Sequence, residues 1–154
     1  NINFFKGNNF FVAHADNLCV CDFDKFIKAH LDRPKHTEIT MMTFDTMYPK
    51  SCGIVRVDSE NVLIEFHEKV ANPPGHRANA AVYIMEPKVA NFCNSINRSG
   101  LDISNDVVPN YLGRIFTWHN CTYNKDIGDI KSYSEAQKDI QYLKDYINNM
   151  NWFI

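Results

Sequence analysis

Residues 62–87 read VLIEFHEKVANPPGHRANAAVYIMEP, and they give the clearest succession of predicted secondary-structure elements in the chain. In residues 62–68, the apolar side chains of Val62, Ile64 and Phe66 alternate with Leu63, Glu65 and His67, and residues 78–85 are almost wholly apolar. Both runs are typical of strands. The Pro-Pro-Gly in residues 72–75 predicts a loop between them. Pro87 is suited to the first turn of a helix, which we expect to continue to Ile96. The segment therefore predicts a strand, a loop, a second strand and a helix.

Apolar runs outside this segment predict further elements on both sides of it. The predicted strands are residues 10–13, 37–44, 52–57, 115–118 and 122–127, with a hairpin turn at residues 58–61. A helix is predicted at residues 22–31, capped by Asp22, and another around Val107–Leu112, capped by Ser104 or Asn105. A last helix, capped by Ser132 or Ser134, has an apolar face formed by Ala136, Ile140, Leu143 and Ile147. This order predicts an α/β fold with a mixed sheet flanked by helices and an antiparallel excursion.

Composition limits the class of protein. The 154 residues predict a single domain, 1–154, and the 45% hydrophobic content allows a sizeable core. A net charge of −2 supplies no basic field for nucleic acid, and no apolar run is long enough to span a membrane. Five cysteines with irregular spacing predict free thiols in a reducing compartment, so we expect a cytoplasmic protein.

Two aspartates follow predicted strands. Asp16 lies just beyond residues 10–13, and Asp126 ends residues 122–126 before the last helix. Ligands of open α/β sheets bind at the carboxyl ends of strands, where two converging carboxylates suit a hard cation such as magnesium. Each aspartate alone is also typical of a turn or a helix cap, so the pair is more informative than either member.

Four other residues are candidates for substrate contacts. Glu68 and Lys69 end a strand, where a lysine can meet a phosphate and a glutamate can accept from hydroxyl groups, although a solvated strand end is the simpler interpretation. Asn79 is unusual in an apolar strand, which indicates a hydrogen-bonding task, either structural or functional. Gly53 begins a strand where close backbone approach is favoured.

These motifs occur in an order that resembles the sugar-1-phosphate nucleotidyltransferase family. The resemblance is greatest to guanylyltransferases or other nucleotidyltransferases that act on mannose-, heptose- or glucose-type 1-phosphates. The similar segments are FFVAHADNL (10–18), SCGIVRVD (51–58), residues 62–87 with an Asn-Ala strand, and the closing residues 106–137 with Asp-Ile-Gly. The resemblance extends from about Phe10 to about Gln137. It implies an incomplete Rossmann-like nucleotidyltransferase fold of the glycosyltransferase-A type. Val70, Ala81 and Asp129 stand where the family usually has proline, glycine and threonine.

The resemblance also implies roles for the candidate residues. Asp16 and Asp126 would hold Mg²⁺, Lys69 would contact the sugar phosphate, Glu68 and Asn79 would contact sugar hydroxyls, and the backbone of Gly53 would line the sugar pocket. The reaction implied is transfer of a nucleoside monophosphate from an NTP to a sugar 1-phosphate, with release of pyrophosphate, in nucleotide-sugar and polysaccharide biosynthesis.

The family's Gly-rich loop for the NTP has no counterpart in these 154 residues. The chain therefore resembles the C-terminal, sugar-phosphate- and metal-binding part of the enzyme, and we expect it to be inactive alone. We also expect it to pair, either with the missing N-terminal segment or as a homo-oligomer, because a truncated sheet exposes an apolar edge. Two alternatives remain. One is a glycosyltransferase of the related fold, although Asp16-Asn17-Leu18 lacks the usual D-x-D, and the other is a non-catalytic sugar-phosphate-binding domain.

Overall fold

The computed structural model describes residues 5, 7–96, 98 and 100–148. The strands in this part of the chain are Phe10–Ala13 (β1), Asn17–Val20 (β2), Ile39–Asp45 (β3), Gly53–Val57 (β4), Leu63–Glu68 (β5), Arg77–Met85 (β6), Ile115–His119 (β7) and Tyr123–Asp126 (β8). The helices are Phe23–Asp32 (α1), Pro87–Ser95 (α2) and Ile130–Asn148 (α3), with short helical turns at Pro49–Ser51, Ile103–Val107 and Val108–Tyr111. None of these helices is long and apolar enough to cross a membrane.

The central sheet has the strand order β5-β4-β6-β3-β7, and β1 also pairs with β6. The pairings of β6 with β1, β3 and β4 are antiparallel, whereas β3 and β7 are parallel. A second, two-stranded sheet pairs β2 with β8. The prediction of an α/β fold with a mixed sheet flanked by helices is confirmed.

Strand β6 changes partner halfway along one edge. Its first half pairs with β4 through Ile54 and Ala78, and its second half pairs with β1 from Ala13–Val82 onward. On the other edge, the register with β3 shifts between Met41 and Thr43. This shift marks a bulge in β6 where its neighbour passes from β4 to β1.

Buried apolar residues cover both faces of the sheet. One face, with α2 and the turns at residues 103–111, is centred on Ile39, Met41, Tyr83, Val89 and Ile115. The other face, with α1, is centred on Phe26, Met42, Ala80, Val82 and Ile84. Because both faces are covered, the central strands are apolar along nearly their whole length.

Two predicted features of the chain are confirmed in detail. Asp22 caps α1, since its Oδ1 accepts the Lys25 amide at 3.0 Å. Residues 58–61 form the hairpin turn, where Asp58 Oδ1 accepts the Val62 amide at 2.9 Å and Asn61 takes a positive φ of 60°. These local polar side chains fix where the elements begin and end.

Two predictions about local structure are wrong, and one strand is missing from the predicted elements. Residues 103–111 form two short turns capped by Asp102 instead of a regular helix, because Pro109 removes an amide and interrupts the helical hydrogen bonds. Helix α3 is capped by Asp129 and not by a serine. Strand β2 was not predicted, since its stability comes from pairing with the distant strand β8.

Candidate active site

The two candidate metal ligands lie at one end of the small β2–β8 sheet. Asp16 occupies the turn between β1 and β2, and Asp126 is the last residue of β8. The antiparallel register pairs Asn17 with Asp126 across the two strands. The Ile127 amide also donates to the Asp16 carbonyl at 2.7 Å. Residues far apart in sequence are therefore tied together at this point by backbone hydrogen bonds.

Both carboxylates face Gly128. A Cβ placed on Gly128 would lie 3.1 Å from Asp126 Oδ1 and 3.3 Å from Asp16 Oδ2. Since glycine has no Cβ, the two oxygens converge on space that any other residue would fill. The Gly128 amide donates to Asp126 Oδ1 at 2.8 Å, which fixes the orientation of that carboxylate. Two converging carboxylate oxygens fit a hard divalent cation.

The surroundings of this pair leave its charge unbalanced. Within the described residues, no lysine or arginine lies within ion-pair distance of Asp16 or Asp126, and His14 Nδ1 is 4.0 Å from Asp16 Oδ1. No cluster of three or more acidic, histidine or cysteine ligands occurs in that part of the chain either. A cation here would complete its coordination with water and substrate phosphates, which is the usual mode for Mg²⁺.

The nearby Asp129 has a different task. Its Oδ1 accepts the Ser132 amide at 2.8 Å, while the Ser132 hydroxyl accepts the Asp129 amide at 3.3 Å. This reciprocal arrangement caps α3. Hydrogen bonds from Ser132 hold the pKa of Asp129 below its usual value. The charge that Asp129 adds beside the aspartate pair is thus committed to the start of the helix.

Strand β8 is fastened to α3 by a second set of contacts. Lys125 Nζ lies 2.9 Å from Asp139 Oδ2 and 3.2 Å from a Glu135 carboxylate oxygen, and the Tyr123 hydroxyl donates to Asp139 at 2.7 Å. Hydrogen bonding to Asp139 raises the pKa of Lys125. Asp126, which follows Lys125, is therefore carried on a strand held from both sides.

Glu68 and Gly53 are cross-strand neighbours on β5 and β4. A Cβ on Gly53 would lie 2.5 Å from both Glu68 Oε2 and Phe66 Cζ, so only glycine fits there without displacing them. Lys69 takes a positive φ of 48°, a conformation that is strained for lysine. Its amide donates to the Cys52 carbonyl at 3.2 Å, and its Nζ is 3.7 Å from Glu68 Oε1. The lysine side chain is 67% exposed and reaches into solvent beside Glu68.

Asn79 uses both of its polar groups within β6. Its Oδ1 accepts the Ala81 amide at 2.9 Å, and its Nδ2 donates to the Tyr83 hydroxyl at 2.6 Å. Burial raises the pKa of Tyr83, which keeps that hydroxyl protonated. Contact of Asn79 with a sugar hydroxyl stays a prediction.

The bulge of β6 brings these two groups of residues together. Because Ile54 pairs with Ala78 in an antiparallel ladder, Gly53 lies level with Asn79. Further along the same edge of β6, the Ala81 carbonyl accepts the His14 amide at 3.2 Å, and the Ala80 carbonyl accepts Asn17 Nδ2 at 2.8 Å. The Asp16 loop and the Gly53–Glu68 pair thus flank the same stretch of one strand.

Sequence reasoning assigned no task to two residues of this site. Asn17 links the Asp16 loop to β6, and Gly128 leaves the space into which both carboxylates point. The available signals were the Asp-Asn pair directly after a strand and the glycine two residues after Asp126.

Comparison with known proteins shows the family and the fold of this chain. The profile of the Nucleotidyl transferase family matches residues 1–142, so the chain belongs to that family. A similar solved structure is described as a glucose-1-phosphate thymidylyltransferase from Bacillus anthracis, in complex with sucrose. It shares 16% sequence identity with a TM-score of 0.79, over 99% of this chain and 60% of that chain. At this identity the likeness shows the fold, and this chain spans 60% of the length of its neighbour.

Proposed function

We propose that this chain carries the sugar-phosphate and metal half of a sugar-1-phosphate nucleotidyltransferase. The observation that carries the proposal is the convergence of Asp16 Oδ2 and Asp126 Oδ1 beside Gly128. Family membership supports nucleotidyl transfer, and the name assigned to the structural neighbour supports a sugar 1-phosphate as the acceptor. Mg²⁺ is the proposed cation, because paired carboxylates that share substrate phosphates and water suit it.

In the proposed reaction, a phosphate oxygen of the sugar 1-phosphate attacks the α-phosphorus of an NTP. The new P–O bond forms as the bond to the β-phosphate bridging oxygen breaks, and pyrophosphate leaves with that electron pair. Mg²⁺ bound between Asp16 and Asp126 would supply charge neutralisation for the phosphates. The protein's contribution is positioning and electrostatic stabilisation, with no covalent intermediate.

The remaining candidate residues have proposed roles on the sugar side. Lys69 attracts the sugar phosphate as a point charge, which suits an exposed ammonium beside a strand end. Glu68 accepts hydrogen bonds from sugar hydroxyls, and the backbone of Gly53 lines the same pocket next to it. The close approach of the Glu68 carboxylate to the Gly53 backbone supports this grouping, because a side chain at position 53 would occupy the same space.

We also propose that this chain does not turn over substrates alone. No Gly-rich phosphate loop with an arginine and a lysine occurs in its sequence, so the NTP phosphates lack cationic partners. Within the described residues β1 pairs only with β6, and Phe11 is 49% exposed. A further strand, from an N-terminal segment or a second copy, would find a free edge there.

The five free cysteines support a cytoplasmic location.

The test is a pyrophosphate-release assay with Mg²⁺, run on the chain and on the product of its whole reading frame. Four NTPs are combined with several hexose and heptose 1-phosphates. Release should require one pair of substrates and should fall by about 10²–10³-fold in Asp16→Asn and in Asp126→Asn. Asp129→Asn, which changes a neighbouring carboxylate that caps α3, is the matched control and should retain most of the activity. Release that survives both site substitutions would exclude the proposed metal site, and full activity of the chain alone would exclude the need for a second segment.

A further inference from the structure

We propose that Asn79 is a positioning residue, which fixes the bulge of β6 and through it the loop that carries Asp16. This inference rests on the proposed function, where Asp16 is a metal ligand. It assigns Asn79 a task different from contacting the sugar. The role belongs to the carbonyl oxygen of its side chain, which acts on Ala81 and not on a substrate.

The first step connects Asn79 to the bulge. Ala81 has a φ of 52°, in the left-handed region that alanine rarely occupies. The hydrogen bond from the Ala81 amide to Asn79 Oδ1 compensates for this conformation. Asn79 is oriented in turn by the hydroxyl of Tyr83, a residue with no exposed surface. The side chain of Asn79 therefore lies between a fixed anchor and a strained peptide.

The second step connects the bulge to Asp16. The left-handed Ala81 directs two successive carbonyls, those of Ala80 and Ala81, toward the loop after β1. They accept the Asn17 side chain at 2.8 Å and the His14 amide at 3.2 Å. These contacts hold the residues on either side of Asp16.

The third step reaches the second carboxylate. The Asp16 carbonyl accepts the Ile127 amide at 2.7 Å, and Asn17 is the cross-strand partner of Asp126. A shift of the Asp16 loop that weakens these ties therefore separates the two carboxylates. Metal affinity responds strongly to residues that orient the ligands, even when those residues do not touch the metal.

The experiment compares amide hydrogen exchange in Asn79→Ala and in Tyr83→Phe. Asn79→Ala removes the acceptor for Ala81, so the His14 and Ile127 amides should exchange about tenfold faster, while amides of β3 and β7 change little. Tyr83→Phe removes the hydroxyl that orients Asn79 but keeps the acceptor for the Ala81 amide, so those two amides should exchange faster than their wild-type rates, but by clearly less than in Asn79→Ala. Ala81→Gly in the Asn79→Ala background should restore them, because glycine adopts a φ of 52° without support.

Asn79→Asp provides a variant that keeps an acceptor for the Ala81 amide. It should leave the exchange of His14 and Ile127 at wild-type rates, even if Asn79→Ala fails to fold. Faster exchange at these amides in Asn79→Asp would overturn the proposal. So would equal exchange in Asn79→Ala and Tyr83→Phe.

Mn²⁺ titration followed by electron paramagnetic resonance gives a second readout. Asn79→Ala should weaken Mn²⁺ binding about tenfold, and the double variant with Ala81→Gly should recover it. Asp16→Asn and Asp126→Asn should remove the binding. If these two variants bind Mn²⁺ as the wild type does, the proposed metal site fails, whereas the exchange results still decide the role of Asn79.

Discussion

The two ends of the central sheet differ in how their charged side chains are paired. At the end where β3 begins and β6 stops, Glu86 pairs with Arg33 and, at 3.0 Å, with Lys88. Glu38 pairs with Lys88 at 3.3 Å and with Arg114 at 3.2 Å. Two carboxylates are thus shared among three cations. Each of these charges has a partner of opposite sign within the chain, and their role is structural.

At the opposite end, Lys69 pairs with Glu68 at 3.7 Å, but among the described residues the two candidate metal ligands have no such lysine partner. Asp16 and Asp126 converge with no lysine or arginine within ion-pair distance in the described part of the chain, and Lys69 and Ala81 take positive φ angles close by. Like charges and strained backbone lower stability unless a ligand compensates for them. The comparison indicates that one end of the sheet stabilises the fold, and it agrees with the proposal that the other end binds a ligand.

The largest expected effect concerns His30, which lies at the end of the sheet where Glu38 and Glu86 form their ion pairs; we call this the structural end. It is buried between Asn9 and Thr40, and burial, together with the nearby Arg33 charge, lowers its pKa from 6.5 to about 4. Its neutral form is favoured by folding, so its contribution is complete above pH 6.5 and is lost as the pH falls from 6.5 toward 4. The loss should amount to about 3 kcal/mol.

Urea denaturation at a series of pH values between 7.5 and 4 measures this loss. His30→Gln, which cannot titrate, should show a pH dependence shallower by that amount. Parallel curves for the wild type and His30→Gln would show that His30 is protonated without cost in the folded state, and the structural end would lose one of its buried anchors.

The next prediction compares the loss of stability on breaking a half-buried ion pair with the loss on breaking an exposed one. Arg33, 13% exposed, contacts Glu86 and donates to the backbone carbonyls of His30 and Thr37. Arg33→Met should lower the free energy of unfolding by about 2 kcal/mol, since charged hydrogen bonds to partly buried groups are lost. The matched control is Arg56→Met, which breaks the exposed pair with Glu65 and should cost less than about 1 kcal/mol. Equal losses in thermal denaturation would contradict the assigned role of the buried end.

A third prediction tests how tightly the binding end is packed. Gly53→Ala places a Cβ against Glu68 and Phe66, and should lower stability by about 1–2 kcal/mol because both must move. Gly75→Ala is the control, since a Cβ there meets nothing within 4 Å. Chemical denaturation of both variants decides the matter, and an unchanged midpoint for Gly53→Ala would mean that Glu68 is loosely held.

Sequence patterns predicted the structural frame better than the site. Strand β1 was predicted with its observed bounds, and β4, β5 and β6 to within one residue at either end, because their apolar runs are buried on the sheet. The family and the mixed fold were also predicted correctly from the order of motifs. Such features depend on local sequence, where apolar periodicity and turn residues are readable.

What could not be predicted depends on contacts between distant residues. The strand-end positions of Asp16 and Asp126 were readable, but their approach results from the pairing of β2 with β8. The bulge was not readable either, because Ala81 is a residue type that does not favour a positive φ. The roles of Asp16 and Asp126 as metal ligands stay predictions. So do the substrate-binding roles of Gly53, Glu68, Lys69 and Asn79.

The smallest expected effect tests whether the bulge is strained. Ala81→Gly removes the steric cost of a left-handed alanine, about 1 kcal/mol, but makes the unfolded chain more flexible, which costs part of that gain. The net result should be a stabilisation of about 0.5 kcal/mol. Ala80→Gly, at the next residue, is the control and should destabilise, since Ala80 is buried and has no positive φ. A loss of stability in Ala81→Gly comparable to that of Ala80→Gly would mean that the bulge bears no strain, and the backbone contrast between the two ends of the sheet would disappear. The contrast in charge would remain.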